Sequence, residues 1–209
     1  MILHVATTNT GKLRDFAFAA EGLQADASGG PVQLATLPGL SALAAPAEDQ
    51  ETFEGNARLK AEYYARAAPG LLVLADDSGL EVDTLEGRPG VRSARFAADL
   101  GRSVETGEID AANNDALLLA MLEQVNRRAR YRCVLALARD GVVFATADGS
   151  LEGEILTDPE GAGGFGYDPL FFVPELGCTM AQASPEDRLR LSHRGRALRA
   201  LLAGLEDVR

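Results

Sequence analysis

Apolar residues in this chain gather into short runs separated by breaks rich in Gly, Pro, Asn and Asp, a pattern of alternating strands and helices. Residues 2–6 read as a first strand, broken by Thr7-Thr8-Asn9-Thr10-Gly11, with a helix from Lys12 to about Glu21. Residues 24–50, rich in Ala, Gly and Pro, predict a loop, a short strand over 32–35 and a second loop. Thr52 suits the N-cap of a helix running to about Arg66 and ended by Pro69-Gly70. The solid apolar run 71–75 predicts a buried strand, with Asp76-Asp77-Ser78-Gly79 as a turn at its carboxyl end. Glu81-Val82-Asp83 reads as a short extended piece before a second turn, Gly87-Arg88-Pro89-Gly90, and residues 97–112 as a surface insertion.

Asn114 or Asp115 would cap a helix over 116–126, with Leu117, Leu118, Met121, Leu122 and Val125 at helical spacing. Strands over 131–138 and 142–147 flank Asp140-Gly141, a strong hairpin signal. Ser192 fits the N-cap of a last helix whose Leu198, Leu201, Leu202 and Leu205 form one stripe. No internal repeat or linker divides the chain, so residues 1–209 are expected to form one domain.

Composition narrows the function classes. The net charge of −11 argues against broad nucleic-acid binding, which needs a basic face. No apolar stretch approaches bilayer length, and the N-terminus lacks the basic start of a signal peptide. The two cysteines, Cys133 and Cys178, lie far apart and suggest packed thiols in a cytoplasmic setting.

Four segments carry candidate chemistry. Two adjacent carboxylates, Asp76 and Asp77, at the end of a buried strand call for a positive partner, and such strand ends hold ligands in open α/β sheets. Thr7-Thr8-Asn9-Thr10-Gly11-Lys12 links a strand to a helix, where backbone N–H groups and Lys12 attract phosphate. An ordinary turn explains it equally well. It is not a Walker A loop, because the GxxxxGK[ST] spacing is absent and Leu13 replaces the hydroxyl. Glu48-Asp49-Gln50-Glu51 precedes the helix at Thr52, either as a dipole complement or as a source of one further metal ligand.

The run 161–169 matches GxGxxG formally, but Asp158-Pro159 before it and Asp168-Pro169 after it exclude a dinucleotide fingerprint. What remains is a turn whose Phe165 and Tyr167 either stack on a planar base or pack into the core. Arg188, Arg190, Arg194, Arg196 and Arg199 lie in one segment with no acid between them. Cations at a helix start oppose its dipole, so Arg194 suggests a nearby anion or carbonyl, whereas Arg190, Arg196 and Arg199 suit a solvated face. With His4 inside the first strand, His193 lacks a histidine partner for a metal site. Two preceding carboxylates do not activate Ser78 as a nucleophile.

Taken in order, these segments resemble the Ham1-like inosine/xanthosine triphosphate pyrophosphatases, hydrolases of nonstandard purine nucleoside triphosphates. The matching stretches are residues 6–12 (ATTNTGK), 52–61 (TFEGNARLKA), 76–94 (DDSGLEVDTLEGRPGVRSA), 163–171 (GGFGYDPLF) and 192–197 (SHRGRA). The resemblance implies an α/β fold, two lobes around a long central mixed β-sheet with flanking helices, and an active site in the cleft between lobes. It implies magnesium-dependent hydrolysis of ITP, dITP and XTP to monophosphate and pyrophosphate, and a homodimer. Thr7, Thr8, Asn9, Thr10, Gly11, Lys12 and Lys60 match phosphate-binding positions, and Asn56 a residue that orders the site. Asp77 matches the general base and, with Glu48, the magnesium (Mg2+) site. Phe165, Gly166, Tyr167, Asp168, His193 and Arg194 match the pocket for the base, and Ser78 becomes a phosphate contact. Arg188 replaces a lysine that contacts substrate, and the 97–112 insertion exceeds the family length.

Two rivals remain. A nucleotide-binding regulatory module would use the same contacts without needing Asp77 and a second carboxylate. A haloacid-dehalogenase-type phosphatase would want Asp-x-Asp, whereas Asp76 and Asp77 are adjacent.

Overall fold

A computed structural model describes residues 1–21, 32–102, 105 and 107–206. The elements, in chain order, are β1 (Ile2–Val5), α1 (Thr10–Glu21), β2 (Gln33–Thr36), α2 (Phe53–Ala67), β3 (Val73–Val82), α3 (Phe96–Asp99) and α4 (Ile109–Ala120). They continue with β4 (Arg128–Arg139), β5 (Val142–Ile155), β6 (Phe171–Val173), β7 (Cys178–Thr179), α5 (Pro185–Leu191) and α6 (His193–Glu206). Among the described residues the strands form one seven-stranded sheet ordered β2-β1-β3-β4-β5-β6-β7. β1 pairs parallel with β2 and β3, whereas β5–β6 and β6–β7 are antiparallel, so the sheet is mixed. This is the expected fold class.

The chain divides into two compact units, and β3, β4 and β5 each contribute residues to both. The first comprises Met1–Ser78, Cys133–Ser150 and Leu189–Arg209. Its core joins Leu3 and Val5 of β1, Phe16 and Ala19 of α1, Leu74 of β3, Leu135 and Leu137 of β4, and Leu198, Leu201 and Leu202 of α6. The apolar run 133–138 is buried at every position, as a strand covered on both faces requires. Asp140 and Gly141 both have positive φ, the conformation that a two-residue hairpin turn demands. Gly149 leaves room for α6, since a Cβ there would lie 2.4 Å from the Ala197 nitrogen and the His193 carbonyl oxygen.

The second unit comprises Gly79–Arg132 and Leu151–Arg188. Here β4 alternates, with Ala129 and Tyr131 buried and Arg128, Arg130 and Arg132 outside the core. Arg130 spends its charge on Glu152 at 3.0 Å and Asp83 at 2.9 Å. On the other face Tyr131 packs on Phe171 with ring centroids 4.3 Å apart.

Several sequence expectations are corrected. Asp76-Asp77-Ser78-Gly79 is not a turn but the middle of the ten-residue β3. Its turn-forming residue types are overridden because both carboxylates gain cationic partners and Leu80 and Val82 are buried beyond them. The helix placed at 116–126 is α4 at Ile109–Ala120, so Leu122 and Val125 lie beyond it, exposed. Asn114 is therefore inside the helix rather than capping it, and the 97–112 segment contributes the end of α3 and the start of α4. The short α3, β6, β7 and α5 carry no clear periodicity and escaped the pattern. Part of the loop expected within 24–50 lies outside the described residues, as do 103, 104 and 106. Among the described residues no helix is long and apolar enough to cross a membrane.

Candidate active site

In the first unit, adjacent carboxylates of β3 part to two different helices. Asp76 Oδ2 accepts from Lys12 Nζ of α1 at 2.7 Å and from the Ser78 hydroxyl at 3.2 Å. Asp77 Oδ1 accepts from Lys60 Nζ of α2 at 2.9 Å, and Asp77 Oδ2 from Asn56 Nδ2 at 3.1 Å. Lys60 Nζ also donates to Glu48 Oε1 at 2.8 Å. Glu48 and Asp77, remote in sequence, thus converge on a single cation.

Thr52 makes this possible by capping α2, its hydroxyl accepting from the Gly55 N–H at 3.0 Å. Asn56 and Lys60 follow one turn apart on the buried side of α2. Asn56 Oδ1 also accepts from the Gln50 N–H at 3.1 Å, tying the acidic loop that carries Glu48 to the same helix. Asn56 therefore links Asp77 to the Gln50 backbone.

Burial alone would raise the Asp76 carboxyl, but Lys12, Lys60 and Arg194 outweigh it and hold Asp76 below the usual carboxylate range. For Asp77 burial wins against Lys60 and Asn56, so its carboxyl is raised. Burial lowers Lys60, yet Asp77, Asp76 and Glu48 more than compensate and keep the ammonium charged. Asp77 is thus the more basic of the adjacent pair, as a proton acceptor should be.

The segment 7–12 behaves differently from a bare anion cradle. Asn9 Oδ1 caps α1, accepting from the Gly11 N–H at 2.9 Å and the Lys12 N–H at 3.1 Å. Thr7 supports Asn9, its hydroxyl accepting from the Asn9 N–H at 3.2 Å. Thr8, Asn9 and Thr10 are exposed, and Gly11 is buried.

Ser192 begins α6 as predicted, its hydroxyl accepting from the Gly195 N–H at 3.3 Å. Arg194 is buried, and the anion that its position called for is Asp15 of α1, at 2.9 Å from Nη1. Its Nη2 donates to Ser78 Oγ at 3.1 Å. Burial, then Arg194, Lys12 and Arg196, push His193 well below its ordinary 6.5, so its imidazole is neutral at neutral pH. Arg196 is no solvated arginine, because its Nη1 donates to the Ser150 carbonyl at 2.9 Å.

In the second unit the aromatics of 161–169 separate. Phe165 is 39% exposed, whereas Tyr167 is 5% exposed and its hydroxyl donates to the Ser93 carbonyl at 2.8 Å. Of the two rings, Tyr167 packs into the core and Phe165 stays at the surface. Asp168 braces the turn, accepting from the Tyr131 hydroxyl at 2.9 Å and the Phe165 N–H at 3.0 Å. Gly166 donates its N–H to Asp110 at 2.7 Å and accepts at its carbonyl from Asn114 Nδ2 at 2.9 Å. Arg188 lies against Gly163, where a Cβ would come within 2.4 Å of Nη1. That nitrogen is buried and has no hydrogen-bond partner among the described residues.

Asp15, Asp110, Asn114 and Tyr131 support these groups and were not singled out as site residues. Only the i, i+4 spacing of Asp110 and Asn114 on one helix hints at a shared target.

Comparison with known proteins bears on the family and the fold. The model of the Ham1 family matches residues 3–204. The dITP/XTP pyrophosphatase of Acidobacterium capsulatum is 54% identical over 98% of this chain and 98% of its own. That of Thermus thermophilus is 47% identical over 97% and 91%. The Ham1 protein of Staphylococcus aureus superposes with a TM-score of 0.80 at 35% identity, covering 100% of both chains. A Ham1 protein from Coxiella burnetii also gives 0.80, at 32% identity over 99% of each chain.

Proposed function

The chain belongs to the Ham1 family, and from that premise we propose that it hydrolyses dITP, XTP and ITP to the nucleoside monophosphate and pyrophosphate. The observation that carries the residue assignment is the convergence of Glu48 and Asp77 on Lys60 Nζ.

Hard oxygen donors aimed at one cation suit magnesium, which is usually bound by one or two carboxylates plus substrate phosphates. Glu48 and Asp77 would hold the ion, which when bound neutralises the triphosphate and the departing pyrophosphate. Asp77 accepts the proton of the water that attacks the α-phosphorus, a role its raised carboxyl favours. Lys12 and Lys60 spread the remaining phosphate charge, while Asn56 keeps Asp77 oriented. Thr7, Thr8, Asn9, Thr10 and Gly11 shape the phosphate loop, with hydroxyl donors rather than the Gly11 and Lys12 amides turned to substrate, since Asn9 occupies those amides.

Selectivity follows from donor and acceptor matching. Arg194 only donates, hypoxanthine and xanthine offer a 6-oxo acceptor, and adenine offers a 6-amino donor. A buried donor facing a donor leaves both unpaired, which discriminates strongly. His193, neutral, can turn either a donor or an acceptor nitrogen to the same edge. Phe165 stacks on the base, Gly166, Tyr167 and Asp168 hold it in place, and Arg188 adds positive charge beside Gly163. A homodimer, on the strength of the resemblance, and a cytoplasmic setting, on that of the two separated cysteines, complete this reading.

A panel of dITP, XTP, ITP, ATP and GTP, scored for the first product, tests it. Pyrophosphate from the first three with magnesium, and none with EDTA, is expected. Equal hydrolysis of ATP would overturn the base pocket, no turnover would favour a regulatory module, and free phosphate as first product would favour a phosphatase. Sedimentation of the same preparation reads the dimer.

A further inference from the structure

α4 grips the aromatic turn at one residue. Gly166 sits at φ +63 with nothing near the place where a Cβ would be. Its two backbone polar groups point to side chains one helical turn apart, the N–H to Asp110 and the carbonyl to Asn114. The Asn114 amide holds this orientation although its Oδ1 is buried with no partner among the described residues. Turning the amide over would set that oxygen against the Gly166 carbonyl oxygen. An unpaired buried acceptor is costly, so the Gly166 contact outweighs it.

The neighbours are secured separately, Phe165 through its N–H on Asp168 and Tyr167 through its hydroxyl on Ser93. Gly166 is the hinge between an exposed ring and a buried one, and without α4 nothing else among the described residues hydrogen-bonds its backbone.

We propose that Asp110 and Asn114 are positioning residues for the purine, clamping Gly166 so that Phe165 is held ready to stack on the base. The proposal rests on the functional reading above. It assigns a task to the start of α4, within a segment whose sequence reads only as an insertion. Pre-ordering a contact group removes the cost of ordering it on binding, so the clamp acts on affinity and leaves the chemical step alone.

The test compares Asp110→Ala, Asp110→Asn and Asn114→Ala with the parent protein. KM and kcat for dITP are measured, together with inhibition by inorganic tripolyphosphate, which carries the phosphates without a base. Loss of one hydrogen bond predicts that KM rises about fivefold in either alanine variant, with kcat within about twofold. Tripolyphosphate inhibition stays unchanged. Asp110→Asn retains an acceptor for the Gly166 N–H and returns KM to near the parent value. Asn114→Ala stands in should Asp110→Ala, which also strips an acid from the first turn of α4, fail to fold. Parent-like KM in the alanine variants, or KM, kcat and tripolyphosphate inhibition all shifting together, overturns the clamp while leaving the functional reading intact. A parent protein that leaves dITP untouched overturns the functional reading and the clamp with it.

Discussion

Asp76 and Asp77 are chemically identical neighbours, and only their strand separates their roles. Successive side chains on a strand point to opposite faces, so Asp76 meets Lys12 of α1 and Asp77 meets Lys60 of α2. No spacing rule in the sequence distinguishes the carboxylate that meets Lys12 from the one that meets Lys60. The presence of costly carboxylates was legible; their division of labour needed the helices. Asp77→Asn keeps the side-chain volume and an acceptor for Lys60 but loses the proton acceptor. Turnover of dITP is expected to fall by roughly 10²–10⁴, the usual contribution of a general base, with nucleotide affinity by calorimetry within a few-fold. Near-normal turnover would remove Asp77 from that role. Arg194 shows a legible half of another kind. Its unfavourable place at a helix start pointed to an anion, but Asp15, which supplies it, lies 179 residues away in sequence.

Strands and capped helices were the most readable elements, because Thr52, Ser192 and Asp140-Gly141 each satisfy a local backbone need. α4 was misplaced because its leucines continue past its end. Leu117 is fully buried whereas Val125 is 97% exposed, a difference that periodicity cannot see. Its polar first half looked like insertion, yet Asn113 is buried and accepts the Ala97 N–H at 2.9 Å. Gly149 offers an element-scale test of how α6 meets β5. A methyl there collides with backbone rather than with a movable side chain, so α6 must shift. Gly149→Ala is expected to destabilise by about 1–3 kcal/mol in chemical denaturation, the usual cost of overpacking. A neutral result would mean that this packing is slack.

At the scale of the whole chain, the alternation of strands and helices followed from apolar runs and caps, whereas the family, and with it the mixed sheet and two lobes, followed from five separated motifs read together. Apart from that resemblance nothing in the sequence points to the two compact units, because no linker marks a boundary that runs through the middle of continuous strands. The charged face of β4 shows the same blind spot. No spacing in the sequence shows that Glu152 of β5 and Asp83, just beyond β3, meet Arg130 within the fold.

Lys60 carries a consequence for how this protein survives between encounters with substrate. Its ammonium already compensates Glu48 and Asp77, so the acidic pair is tolerable without any divalent ion. A ligand raises the melting point only by binding the native state, and this pair has little left to gain from one. Chelation with EDTA is therefore expected to leave Tm unchanged while silencing hydrolysis. In Lys60→Met the same chelator should lower Tm, since two carboxylates would then face each other uncompensated. A parent protein that melts early in EDTA would show that the metal, and not the lysine, is its countercharge at rest. On this account starvation for magnesium idles the protein without unfolding it, and activity returns as soon as the ion does.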